Sequence, residues 1–136
     1  MSDDPGATPI DRLLADERRL LDRLDPQEAL EAVQQRGGVI VDTRSHEQRV
    51  AGGVIPGAIR VHRNVLEWRV DPSSGWFDER FAPYDGPVIV MCHVGYSSSL
   101  AAATLQRLGM TRATDMAGGF QAWAAAGLPI EPFDGE

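Results

Sequence analysis

Apolar positions along the chain follow two different spacings. From Ile10 to Leu24, the residues Ile10, Leu13, Leu14, Leu20, Leu21 and Leu24 recur at roughly helical intervals with acids and arginines between them, which predicts an amphipathic helix. Asp25-Pro26-Gln27-Glu28 then supplies an N-cap acceptor, a Pro at the first helical position and an acid that reaches back, so a second helix is expected through Val33 to Gly37-Gly38. Val39-Ile40-Val41 and Val88-Ile89-Val90-Met91 are unbroken apolar runs, the pattern of strands covered on both faces. Ser45 is placed to cap a short helix from His46 to Val50, and Val54-Ile55-Pro56-Gly57-Ala58-Ile59 reads as an extended approach, a tight turn and a short strand.

The later elements repeat the alternation. A short helix is expected at Asn64 to Arg69, a turn at Asp71 to Gly75, a helix from Ser98 to near Gly109, a strand at Ala113 to Met116, and a last helix at Phe120 to Ala126. Trp68, Trp76, Phe77 and Phe81 are expected to fold the segment from His62 to Tyr84 onto the body. Strands alternating with helices predict an α/β fold, a mostly parallel central sheet with helices on both faces. Residues 1–24 are expected to form an N-terminal tail, loose from Met1 to Pro9, followed by the amphipathic helix, and residues 25–136 the domain.

Composition narrows the chemistry. The 136 residues suit one domain, and no apolar run is long enough to span a bilayer. The acidic start, Met1-Ser2-Asp3-Asp4, does not read as a secretory signal, so a cytoplasmic protein is expected. A net charge of −7 with scattered arginines argues against nucleic acid as a partner. All 13 basic residues are Arg, which removes Schiff-base and phosphate-loop lysine chemistry. The single cysteine, Cys92, excludes an intramolecular disulfide and a cysteine-rich zinc site. His46 and His62 lack a supporting ligand cluster and read as surface residues; no metal or cofactor is expected.

Cys92 stands at the carboxyl end of an apolar strand, where open α/β sheets bind ligands. The loop after it turns back sharply, so the N–H groups of Val94, Gly95, Tyr96, Ser97 and Ser98 are expected to converge on an anion. The positive end of the following helix favours thiolate over thiol. His93 is a candidate anion contact when protonated, and Arg63 and Arg69 are candidates to fold over the mouth. Asp42 and Arg44 flank the same sheet edge in supporting positions, with Arg44 expected to pair with Glu47.

Four stretches together resemble the rhodanese-like family of sulfurtransferases in its single-domain form. They are Val41-Asp42-Thr43-Arg44, Gly53-Val54-Ile55-Pro56-Gly57-Ala58, Cys92-His93-Val94-Gly95-Tyr96-Ser97-Ser98, and Met116-Ala117-Gly118-Gly119-Phe120-Gln121-Ala122-Trp123 with Gly127-Leu128-Pro129. The resemblance implies a three-layer sandwich and a sulfur relay. In it Cys92 takes sulfane sulfur from a small donor anion such as thiosulfate, or from a persulfide, and passes it to cyanide or a thiol. Two positions depart from the family pattern: Val54 stands where His is usual, and Ser97 where many members carry Arg. Loss of that cation weakens recognition of a doubly charged donor, which leaves open a persulfide carrier fed by a protein donor, or a non-catalytic interaction module. A cysteine phosphatase would need Arg at position 98, which is Ser.

Overall fold

The computed structural model describes residues 7–135. Helices α1 (Pro9–Arg18), α2 (Pro26–Gln35) and α3 (His46–Gly52) each begin with a complete capping box, Thr8 with Asp11, Asp25 with Glu28, and Ser45 with Gln48. Between and after them run β1 (Val39–Asp42), β2 (Ile59–Arg60), α4 (Leu66–Val70), β3 (Val88–Met91), α5 (Ser97–Arg107), β4 (Ala113–Asp115) and α6 (Gly119–Ala125). The four strands form one parallel sheet in the order β2-β1-β3-β4.

Alternation along the strands explains the layers. Val39, Val41 and Val90 point to one face, where Ala101, Ala102 and Leu105 of α5 and Leu66 and Val70 of α4 cover them. Ile40, Ile89 and Met91 point to the other, against Ala29 and Ala32 of α2 and Phe120 and Trp123 of α6. The expected three-layer α/β sandwich is therefore present, and the continuous apolar runs are its doubly covered central strands.

The N-terminal helix is shorter than its sequence pattern. It ends at Arg18, and Leu20 and Leu21 continue in tight turns that bond back to Glu17 and Arg18. Leu24 then makes a parallel bridge to Met116, with its N–H on the Asp115 carbonyl and its carbonyl accepting from Ala117. Leu14 and Leu21 are buried, whereas Ile10 and Leu13 within α1 and Leu20 beyond it are exposed. The expected loose tail lies outside the described residues up to position 6, and Pro9 already belongs to α1.

Only part of the aromatic segment packs inward. Phe81 is buried and Phe77 lies against the core, but Trp68 is 53% and Trp76 66% exposed. On α4 the inward positions are Leu66 and Val70, one turn apart, and Trp68 lies about 200° round from Leu66 on the outer side.

At the end of β1 a buried ion pair sets the path into α3. Arg44 Nε and Nη2 donate to the two Asp42 carboxylate oxygens at 3.1 and 2.8 Å, Nη2 also donates to the Gly53 carbonyl at 2.8 Å, and the guanidinium lies 3.7 Å from the Phe120 ring centroid. Arg44 thus pairs with Asp42 rather than Glu47, because the strand end turns its side chain inward, away from the exposed Glu47. Replacing Arg44 by Met strands the Asp42 charge in the interior; a loss of about 3–5 kcal/mol is expected in urea unfolding, with much of it recovered in an Asp42→Leu/Arg44→Met double variant.

Candidate active site

The sulfur of Cys92 sits just past β3, in a residue only 6% exposed, at the floor of the loop leading into α5. The Gly95 N–H donates to Sγ at 3.1 Å. Unlike α1, α2 and α3, helix α5 has no side-chain cap at its N-cap residue, Tyr96. Of its first-turn amides that of Ser99 bonds to the Tyr96 carbonyl, and that of Ser98 is directed to the thiol.

Burial pushes the Cys92 thiol up, but hydrogen bonds from the Ser98 and Ser97 hydroxyls and the Ser98 and Gly95 amides outweigh it, leaving the thiol below its ordinary value. The Ser98 hydroxyl is also 2.8 Å from Asp115 Oδ2, and it carries a single proton. That short charge-assisted bond competes with the sulfur for the Ser98 proton, whereas the Gly95 N–H is given to the sulfur.

Backbone-to-backbone contact shapes the loop from the α6 side. Phe120 N–H donates to the Cys92 carbonyl at 2.9 Å and Gln121 N–H to that of His93 at 3.1 Å. Gly95, at φ +88°, lies so close to Gly118 that an added Cβ would come within 2.7 Å of its nitrogen. A Cβ on Gly119, at φ +61°, would meet the Cys92 carbonyl oxygen at 2.5 Å. Glycine is required at both positions by backbone angle and by space.

From the opposite side the loop is held by groups the sequence reading did not single out. Asp115, fully buried at the end of β4, accepts from the Ser98 and Ser99 hydroxyls, each at 2.8 Å, and from Arg23 Nε and Nη2 at 2.8 and 3.1 Å. Arg23 Nη2 and Arg18 Nη2 both donate to the Gly95 carbonyl at 2.9 Å, and Arg18 Nε donates to Ser99 Oγ at 3.0 Å. An acid ending a strand beside β3 is a faint sequence signal for Asp115. Arg18 and Arg23 leave none, since the loop lies more than 70 residues further along the chain.

The other expected residues divide clearly. Val94 and Tyr96 are exposed on the loop, Tyr96 by 62%, and Ser97 opens α5. The His93 Nε2 lies 3.1 Å from Gln121 Nε2. Arg63 is tied to Glu67 at 3.0 Å, and Arg69 to the Trp76 carbonyl at 3.2 Å and Asp78 at 3.7 Å; among the described residues neither bonds to the cysteine loop. Val54 is engaged in mutual backbone pairing with Glu131 at 2.8 Å. His46 and His62 are exposed, and among the described residues no cluster of potential metal ligands occurs. A groove of about 410 Å³ runs past Val39, Val88 and Ala113, the opening residues of their strands, and so lies at the end of the sheet away from Cys92.

The site is thus a thiol held below its ordinary value, just past a strand end and beneath a glycine-shaped loop. The Rhodanese-like domain family matches residues 25–126. The chain belongs to the rhodanese-like family. It is 34% identical over 113 residues to the thiosulfate sulfurtransferase GlpE of Pseudomonas putida, covering 83% of this chain and 93% of that one. The GlpE of Haemophilus influenzae is 34% identical over 109 residues, covering 79% and 92%. With such relatives the chain is an enzyme of the rhodanese-like sulfurtransferase type. Among solved structures, a Rhodopseudomonas palustris protein of unknown function, described as a possible tyrosine phosphatase, superposes with a TM-score of 0.80 at 31% identity, covering 96% of this chain and 99% of that one. No helix among the described residues is long and apolar enough to cross a membrane.

Alkylation of Cys92 by iodoacetamide is expected to rise with pH and level off above a midpoint clearly below the free-thiol value of about 8.5. Gly95→Ala is expected to raise that midpoint, because the residue must leave its left-handed backbone angle and withdraw its N–H from Sγ.

Proposed function

We propose that Cys92 is the nucleophile of a sulfur transfer that runs through a cysteine persulfide. The observation that carries this reading is the Gly95 N–H donating to Sγ beside the uncapped start of α5, on a thiol held below its ordinary value. In the first step the thiolate attacks the outer sulfur of the donor. With thiosulfate a new S–S bond forms, the donor's own S–S bond breaks, and sulfite leaves with the electron pair. In the second step an acceptor such as cyanide or a thiolate attacks the terminal sulfur of the persulfide, and Cys92 departs as thiolate. Both anions form in one place, so donors already aimed at Sγ cost no reorganisation as charge moves outward by one atom. Val94, Gly95, Tyr96, Ser97 and Ser98 are the residues assigned to hold that charge, with His93 at the rim.

Asp42 and Arg44 act beneath the site by holding the β1 end against α6 through Phe120. Arg63 and Arg69, paired within their own segment, are assigned no substrate contact. A cytoplasmic setting suits the reaction, because a reducing compartment keeps a single thiol available. The phosphatase description of the Rhodopseudomonas relative raises a second chemistry, but a phosphatase loop of this type needs a bidentate arginine at position 98. Here that residue is a serine engaged with Asp115.

Incubation with thiosulfate or with a low-molecular-weight persulfide, followed by intact mass measurement, is expected to show one added sulfur atom that is absent in Cys92→Ser and is removed by cyanide. With Ser97 in place of the loop arginine, the singly charged persulfide is expected to load faster than thiosulfate. A protein that takes sulfur from neither donor while its thiol remains alkylatable would be an interaction module. Turnover of an aryl phosphate that disappears in Cys92→Ser would install the phosphatase reading instead.

A further inference from the structure

We infer that Arg18 and Arg23, which precede the residues matched by the family, are positioning residues for the cysteine loop: they hold the Gly95–Tyr96 peptide in the orientation the anion needs and supply the positive charge that Ser97 does not. The inference rests on the sulfur-transfer reading for its purpose, but on geometry for its content.

Two guanidinium groups converge on one carbonyl, that of Gly95, each at 2.9 Å. In a trans peptide the C=O and the following N–H point in opposite directions, and no cis peptide bond occurs among the described residues. Anchoring the Gly95 oxygen therefore turns the Tyr96 N–H away from the arginines. A glycine with its backbone in the left-handed region has a second orientation of this peptide within easy reach, and two charge-assisted bonds oppose the flip. Hydrogen bonding at the carbonyl also polarises the peptide, which strengthens its N–H as a donor.

The charge balance points the same way. The charged and titratable groups in contact with the loop are Arg18 and Arg23 from the N-terminal segment, Asp115 from β4, and His93 and Tyr96 within it. Among the described residues, two guanidinium groups and one carboxylate bond to the loop and its helix start, so one positive charge is left over there. Arg23 is committed to Asp115 through two bonds, which leaves Arg18 as the cation without a carboxylate partner among the described residues. Arg18 is itself pushed down by partial burial and by the neighbouring Arg23, an effect opposed by Asp115. Its guanidinium also lies 5.9 Å from the Tyr96 ring centroid, which places it beside the loop residue whose N–H it directs.

The test is the pH profile of Cys92 alkylation in Arg18→Gln, which leaves the Arg23–Asp115 pair in place. The midpoint is expected to rise by about one pH unit, with circular dichroism and the thermal midpoint close to those of the unaltered protein. Arg18→Lys keeps the charge but cannot span Ser99 and Gly95 together, so a smaller rise of a few tenths of a unit is expected; it is the deciding variant if Arg18→Gln does not fold. A profile that superimposes on that of the unaltered protein, in whichever variant folds, overturns the inference. Alkylation needs no sulfur donor, so failure of sulfur loading would defeat the functional reading alone, and an unmoved midpoint would defeat this inference alone.

Discussion

The site depends on the burial of one carboxylate. Asp115 is fully enclosed at the end of β4, and a charge in that position persists only if its oxygens are supplied with donors. The donors come from separate parts of the chain: Ser98 and Ser99 in the first turn of α5, and Arg23 in the segment that bridges Leu24 to Met116. Satisfying that charge therefore pins the start of the cysteine helix, the end of an edge strand and the N-terminal segment to one point. The same arrangement sets Asp115 in competition with the thiol for the Ser98 proton, while the Gly95 N–H donates to the sulfur in a direction that side-chain motion does not alter.

Around this point the loop is gripped from two sides by different means. On the α6 side the grip is steric and peptide-to-peptide, and it works only because Gly95 and Gly119 have no side chains to intervene. On the N-terminal side it is electrostatic, through guanidinium groups on the Gly95 carbonyl. A loop held in both ways is preorganised to receive negative charge on sulfur. The family arginine that is missing at Ser97 would have approached such an anion directly; the arginines present here approach the peptide that faces it.

Most of the architecture was legible because it rests on local rules. Three of the expected helix starts lie at capping boxes or close to them, and the apolar runs Val39–Val41 and Val88–Met91 are strands because both of their faces are covered. Where reading failed, a local rule was extended past its range. The apolar spacing from Ile10 to Leu24 looked like one helix, but the chain leaves helix at Arg18 so that Leu24 can pair with the end of β4. Arg44 was paired by sequence proximity with Glu47, whereas the turn after β1 directs it to the buried Asp42. Residue type points Trp68 and Trp76 inward, but both are exposed, and helical geometry puts Trp68 on the outer side of α4.

The sequence by itself determined the alternating α/β order, the parallel sheet and the placement of a lone thiol between an apolar strand and a helix start, because each follows from spacing, capping and chain direction within a few residues. Only the tertiary structure decided which charges surround that thiol. Arg18 and Arg23 reach Gly95 across 77 and 72 residues, and Asp115 reaches Ser98 across 17. Pairings of that kind depend on the order in which strands lie side by side and on where the N-terminal segment crosses them. The physical reason is that a charge interacts through space with whatever folding brings near it, and sequence separation carries no information about that distance.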